Sequence, residues 1–301
     1  MTDLLIIGGG MAGLTAALYA KRAGKTVLLV EKETLGGQIT SSPLVENYPG
    51  VASVSGNQLT DGLLNQVMDL GAEVDLEEIT ALTKENGIFV ATAGSARYEA
   101  KSVIIASGAR PRRLGLPEEE ALIGHGVSFC ALCDGAFYKG MDVAVVGGGN
   151  SAAQAAVYLA DICRTVTVIQ QFDHLTCDKR DEKKLRTKDN IRLCLGAEIT
   201  SLNGNGELTG VTVQQNGEGR CIPLSGLFVC IGRVADNEPF ASLLQLDGNG
   251  CIVAGEDCRT SVDGLFAAGD CRTKAIRQLT TAAADGSVSA VAACAYIDNQ
   301  E

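Results

Sequence analysis

A glycine-punctuated βαβ pattern that occurs twice constrains the fold of this chain more than any other feature. Leu4-Leu5-Ile6-Ile7 is a continuous apolar run, Gly8-Gly9-Gly10-Met11-Ala12-Gly13 follows as G-x-G-x-x-G, and Met11 to Arg22 has Ala-rich helical spacing. Thr26-Val27-Leu28-Leu29-Val30 then reads as a second buried strand. The same order returns 139 residues later: Asp142 to Val146, Gly147-Gly148-Gly149-Asn150-Ser151-Ala152, a helix from Ser151 to Cys163, and a strand from Thr165 to Ile169. Two such units place the chain in the α/β class, and its 301 residues leave room for two Rossmann-like domains at roughly 100–200 residues each.

Between the copies, Gly87 to Arg97 alternates like hairpin strands, and Ser102 to Ala106 is a parallel-type strand ending in Ser107-Gly108-Ala109. Pro111 and Pro117 mark a break. After the second copy, Ile191 to Gln215 is strand-like with Gly and Asn turns, and Gly226 to Ile231 closes the segment before Gly232. The tail from Gly264 to Ile297 reads as strand, glycine turn and helix. This spacing fits two sequential domains as well as one domain inserted in another.

Composition narrows the function. Hydrophobic residues at 46% with 36 Gly exclude disorder, collagen and coiled coil. No apolar run approaches the roughly 18–20 residues of a membrane span, and Met1-Thr2-Asp3 lacks the basic start of a signal peptide, so a soluble cytoplasmic protein is expected. A net charge of −11 argues against nucleic acid as a partner, and two His leave little material for imidazole chemistry or His-rich metal sites.

In the first copy, Gly8, Gly10 and Gly13 allow a tight turn and let backbone N–H groups approach a pyrophosphate at a helix N-terminus. Glu31, 18 residues beyond Gly13 at the end of the next strand, is placed to accept hydrogen bonds from ribose hydroxyls. The motif itself does not separate FAD from NAD. A late apolar strand ending in Gly269-Asp270 favours FAD, because an Asp there can meet the ribityl or phosphate end of a flavin; a plain turn is the competing reading.

Of eleven Cys, only Cys130 and Cys133 have an informative spacing, C-x-x-C, followed at once by Asp134. Two sulfurs so placed reach disulfide distance within one turn. A thiol–disulfide exchange centre is the economical reading in a reducing compartment. The alternatives are a buried structural pair and half of a zinc site with His125, for which no second C-x-x-C or C-x-x-H supplies the remaining ligands.

These residues resemble the low-molecular-weight thioredoxin reductases over the whole chain. The resemblance rests on Gly8 to Gly13, Gly36-Gly37-Gln38-Ile39, Glu46-Asn47-Tyr48-Pro49-Gly50, Cys130 to Gly135, Gly147 to Ala152, Gly264 to Cys271 and Arg277-Gln278. It implies a three-layer ββα FAD-binding domain made of residues 1–112 and 240–301, with an inserted nucleotide-binding-like domain, 113–239, carrying the redox disulfide. It also implies a homodimer, a domain rotation that alternately exposes the disulfide to flavin and to partner, and thioredoxin as substrate. By the same resemblance Gly37, Gln38, Asn47, Gly269, Asp270, Arg277 and Gln278 join Gly8, Gly10, Gly13 and Glu31 in holding FAD. Cys133 is then the sulfur nearer the flavin, Cys130 attacks the thioredoxin disulfide, and Asp134 is the acid/base; a helix-capping Asp134 is the alternative.

The second copy departs from the family pattern. The paired Glu positions of the family's NADPH helix are Gln154 and Ala155, its His-Arg-Arg positions are Gln170, Gln171 and Phe172, and a later Arg is Thr176. Cations that would pair with a 2′-phosphate are therefore missing, each such charge-assisted contact being worth about 1.5–3 kcal/mol. NADPH binding is doubtful, and the neutral Gln170 serves NADH poorly. The departures resemble those family members that take electrons from reduced ferredoxin. For an acidic donor, the candidate basic face is Lys179, Arg180, Lys183, Lys184, Arg186, Lys188 and Arg192, with Arg110, Arg112, Arg113, Arg272, Lys274 and Arg277 added; a merely solvated helix is the alternative. A ferredoxin-dependent flavin thioredoxin reductase is the leading expectation. An NAD(P)H-dependent one, a dithiol oxidase using oxygen and a flavin-loaded redox sensor compete with it.

Overall fold

The computed structural model describes residues 1–42 and 44–300. Contacts divide the chain into two units, Met1–Arg110 with Val234–Glu301, and Pro111–Arg233, so the second unit is inserted in the first. Residues 234–239, read from sequence as part of the insert, are held by the first unit. Asn237 is fully buried, accepts from Ser107 Oγ at 2.9 Å and donates to the carbonyls of Gly250 and Cys271 at 2.8 and 3.0 Å.

The first unit contains strands β1 (Thr2–Ile7), β2 (Val27–Glu31), β3 (Glu73–Leu76), β4 (Ala81–Glu85), β5 (Ile88–Ala93), β6 (Ala96–Ile105) and β17 (Leu265–Ala267). Its helices are α1 (Met11–Arg22), α2 (Gly56–Asp69) and α7 (Leu279–Asp298). β3, β2, β1, β6 and β17 pair in that order, all parallel; the apolar runs of β1, β2, the end of β6 and β17 suit strands covered on both faces, while β3 at the edge is partly exposed. β6 does double duty: its first half, Ala96 to Ala100, pairs antiparallel with β5, which pairs with β4, and its second half enters the parallel sheet.

Alternate β1 residues therefore face two cores. Leu4 and Ile6 pack with Leu14, Ala16, Ala17 and Ala290 on the helix side, while Leu5 and Ile7 pack with Phe89, Leu82 and Ile252 on the other. Phe89 and Phe266 are fully buried, so truncating either to Ala costs about 3–5 kcal/mol. α2 starts in a capping box, with Gln58 N–H donating to Ser55 Oγ at 3.2 Å.

The insert repeats the same three layers. It is joined to the first unit through β7 (Arg110–Pro111) and β16 (Arg233–Val234), which pair with each other. Its parallel sheet orders β11 (Ile191–Leu195), β10 (Thr165–Gln170), β9 (Asp142–Val146), β15 (Gly226–Val229) and β8 (Val127–Ser128). An antiparallel sheet of β12 (Ala197–Gly204), β13 (Leu208–Gln215) and β14 (Glu218–Pro223) covers one face, against Ala144 and Val146. α5 (Asn150–Ala160) covers the other, against Val143 and Val145. Short helices α3 (Glu119–Leu122) and α4 (Ala131–Asp134) and the charged α6 (Lys179–Arg186) complete the insert. No helix is long and apolar enough to cross a membrane among the described residues.

Candidate functional site

In the first unit, the glycine turn joins β1 to α1. Gly8 has φ +109°, and a Cβ there would overlap the Ala106 carbonyl; a Cβ on Gly13 would overlap the Gly8 carbonyl oxygen, so helix and turn touch only because both residues are glycine. Gly36 N–H donates to the Gly9 carbonyl at 2.8 Å, and Gly10 bridges to Gly36, which brings Gly37 against Gly10. Glu31 is nearly buried; its Oε2 accepts from Gly9 N–H at 2.6 Å and its Oε1 from Glu33 N–H at 2.8 Å.

This arrangement fits a dinucleotide pyrophosphate. No side chain caps α1, no acid stands in its first turn, and a Cβ on Gly10 would find nothing closer than Gly36 O at 3.9 Å. The first-turn N–H groups are left to a ligand, at the positive end of the helix.

The other residues expected from the sequence to hold a flavin belong to the same unit. Gln38 donates to the Ala109 carbonyl at 2.6 Å, Asn47 donates to Gln278 Oε1 at 3.2 Å, and Arg277 reaches the carbonyls of Asp270 at 3.5 Å and Arg272 at 3.4 Å. Gly269 lies on α1, where a Cβ would stand 3.0 Å from Ala12 Cβ.

Sequence reasoning missed what locks this loop. Asp285 of α7, 4% exposed, accepts from Gly269 N–H at 2.9 Å, from Arg272 Nε and Nη2 at 2.8 Å each, and from Lys274 Nζ at 2.8 Å. Burial alone would push the Asp285 carboxyl up; the hydrogen bonds from Arg272 and Lys274 outweigh it and hold the group below its ordinary value. Asp285 is the one charged residue of α7 before Asp298, and a lone acid in an apolar helix is the signal that would have found it.

In the insert, Cys130 and Cys133 are joined as a disulfide, with Cα atoms 5.3 Å apart, which sets aside the zinc reading. Cys130 is the N-cap of α4, and its Sγ accepts from Cys133 N–H at 3.2 Å. A buried structural pair is not what the surface shows, since Cys133 is exposed and Cys130 half-buried. Asp134 is half-buried; desolvation pushes its carboxyl up, against a hydrogen bond donated by Ser128 Oγ to Oδ2 at 2.6 Å. The Asp134 side chain makes no capping hydrogen bond. An acid that holds its proton to higher pH beside a disulfide is suited to proton exchange with thiolates.

The second glycine turn keeps the backbone of the first but not its surroundings. Gly147 has φ +128°, and Thr176 N–H donates to the Gly148 carbonyl at 2.8 Å. A Cβ on Gly148 would overlap the side chain of buried Gln170, whose Oε1 accepts from Gln171 N–H at 3.1 Å. At the start of α5, Asn150 donates to Asp178 Oδ2 at 3.0 Å and accepts from Asp178 N–H at 2.7 Å, while Gln154 donates to Asp181 Oδ2 at 2.9 Å. Asp178 is thus tied to the first residue of α5 and Asp181 to Gln154 one turn further on, while α5, like α1, has no side-chain cap.

Several expected cations are already paired. Arg272 and Lys274 are buried on Asp285, Arg110 is paired with Asp236 and Arg113 with Glu120, so these four do not form a free basic face. In α6 and just beyond it, Lys184 pairs with Asp181, Arg186 with Glu182 and Lys188 with Asp161; Lys179, Arg180 and Lys183 stay exposed.

An intact dinucleotide turn in one unit and an exposed disulfide with an adjoining acid in the other define a disulfide oxidoreductase. The chain belongs to the pyridine nucleotide-disulphide oxidoreductase family, which it matches over residues 2–286. It is 37% identical over 299 residues to a thioredoxin reductase of Listeria monocytogenes, covering 98% of this chain and 94% of that one. It is 40% identical over 298 residues to a 34.2 kDa protein in the rubredoxin operon of Clostridium pasteurianum, with 98% and 97% coverage. The solved thioredoxin reductase from Streptococcus pyogenes superposes with a TM-score of 0.93 at 34% identity, over 99% of both chains.

Proposed function

We propose that this chain is an FAD-dependent thioredoxin-disulfide reductase that draws its electrons from reduced ferredoxin rather than from NADPH. The observation that carries the choice of donor is the second glycine turn: Gln170, Gln171, Phe172 and Thr176 stand at the family's cation positions, Gln170 lies against Gly148, and Asp178 is bonded to Asn150 at the start of α5. A dianionic 2′-phosphate finds no charge-assisted contact in those side chains, and Asp178 beside the turn repels it.

FAD, when bound at the first turn, supplies the two electrons that open the disulfide. Gly8, Gly10, Gly13 and the α1 N–H groups would hold its pyrophosphate; Glu31, Gly37, Gln38, Asn47, Asp270, Arg277 and Gln278 complete the site. Taking up two electrons leaves one thiolate each on Cys130 and Cys133. The Cys133 N–H bond to Cys130 Sγ favours charge on Cys130, which suits it to attack the partner disulfide. That attack forms a mixed disulfide and releases one partner thiolate. Cys133 then attacks Cys130 Sγ, restoring the Cys130–Cys133 bond and freeing the second thiolate. Asp134 delivers a proton to a departing thiolate and is recharged from solvent.

The same reading makes the protein a cytoplasmic homodimer. In the first unit an apolar face of Tyr19, Val288 and Val291 is exposed, and sedimentation at micromolar concentration tests whether a second copy covers it. The donor is tested by anaerobic reduction of the FAD-loaded protein: reduced ferredoxin bleaches the flavin and yields thioredoxin thiols, whereas NADPH and NADH bleach it far more slowly. Rapid bleaching by NADPH overturns the choice of donor; ferredoxin bleaching without thioredoxin thiols overturns the substrate.

A further inference from the structure

Ser128 ends β8, two residues before the disulfide, and is 5% exposed. Its hydroxyl is used on both sides. Oγ donates to Asp134 Oδ2 at 2.6 Å and accepts from Cys130 N–H at 3.1 Å. Asp134 N–H in turn donates to the Cys130 carbonyl at 3.0 Å. Serine, hydroxyl, carboxylate and cysteine backbone thus form a closed ring of hydrogen bonds around the start of α4.

We infer that Ser128 is a positioning residue of the disulfide site, its hydroxyl tying the Asp134 carboxylate to the Cys130 backbone and so fixing the ionisation of Asp134 while the dithiol is cycled. The inference rests on the reading of Cys130, Cys133 and Asp134 as an exchange centre. Its physical content is a contest between two effects on one carboxyl. Burial favours the neutral acid, and the donated hydroxyl favours the carboxylate.

The titratable groups around Asp134 leave Ser128 as its polar regulator. Tyr138, just beyond it, has its phenol pushed up by burial and by the Asp134 charge. On α5, Tyr158 packs on Gly135. The two sulfurs complete the set, and among the described residues no Lys, Arg or His forms an ion pair with Asp134. A hydroxyl hydrogen bond is therefore the attractive contact opposing desolvation, and a typical one of about 1 kcal/mol corresponds to somewhat under one pH unit.

The test uses the FAD-loaded full chain, reduced chemically and stripped of reductant under anaerobic conditions. Initial rates of alkylation by iodoacetamide are measured from pH 5 to 10, and the modified cysteine is identified by peptide mass. Wild-type protein shows an inflection that Asp134→Asn removes. Ser128→Ala moves that inflection upward by about 0.7 pH unit, and Ser128→Thr, which keeps the hydroxyl, returns it toward the wild-type position. A Ser128→Ala profile that superimposes on wild type overturns the inference, as does a Thr variant displaced as far as Ala, or a wild-type profile identical to that of Asp134→Asn. A merely structural Ser128 would change rate or stability without moving the inflection. Alkylation needs neither ferredoxin nor thioredoxin, so failure of the donor or substrate assignment leaves this result readable on its own.

Discussion

Gly36 N–H meets the Gly9 carbonyl at 2.8 Å in the first unit, and Thr176 N–H meets the Gly148 carbonyl at 2.8 Å in the second, so one backbone hook closes both glycine turns. Around the hooks the side chains diverge. Glu31 accepts from Gly9 N–H in the first, whereas neutral Gln170 turns to Gln171 N–H in the second. Neither helix has a side-chain cap on its N–H groups, but the second begins with Asn150 bonded to Asp178. Turn geometry is thus retained by glycine and strand alone, while ligand choice rests on a few side chains that can change without disturbing it.

The largest effects separate the two units outright. Gly13→Ala forces a methyl into the Gly8 carbonyl and should abolish FAD retention, read as the flavin-to-protein absorbance ratio. Cys133→Ser should keep the flavin and abolish thioredoxin reduction. If the glycine variant retains stoichiometric FAD, the first turn is not the flavin site and the contrast collapses.

Next comes the lock behind the first turn. Asp285→Asn removes the buried carboxylate shared by Arg272 and Lys274, leaving Arg272 with the exposed Glu256 at 3.3 Å, and should cost about 3–5 kcal/mol in denaturant unfolding. The sign with pH follows from the carboxyl being held below its ordinary value. Its stabilising contribution is fully present above the ordinary carboxylate range and is lost as pH falls through the lowered value, so the variant's stability should fall less on acidification than that of wild type. A variant with an unchanged acid profile would remove Asp285 as the source.

The smallest effect tests whether the second turn can be converted. Gln170→Glu restores an acceptor where the first unit has Glu31, and should tighten NADH binding by up to about tenfold, one charged hydrogen bond's worth, without creating NADPH preference. Titration of protein fluorescence measures it. No gain would mean that Asp178 and Asp181, rather than Gln170, set the barrier.

What the sequence revealed follows the range of each signal. The helix over Met11–Arg22 and the strand over Asp142–Val146 have the bounds that glycine punctuation and apolar runs indicate, because those cues are local. The disulfide was legible for the same reason. β4, Ala-Leu-Thr-Lys-Glu, was not, since its mixed residues acquire a face only by pairing with β5. Arg272 and Lys274 read as free cations until Asp285, 13 and 11 residues away, is brought onto them by α7. Ser128 was overlooked although it is adjacent to the motif, because serine announces nothing until its hydroxyl has partners.

The shared strand β6 has a consequence for how the chain is made. Its last residues, Val103 to Ile105, wait for Leu265 to Ala267, which leave the ribosome some 160 residues later. The insert, 111–233, is synthesised in full within that interval and can mature as a unit while the open edge of β6 still lacks its neighbour. Synthesis therefore builds the disulfide-bearing unit first and closes the dinucleotide-type unit around both ends of the chain last.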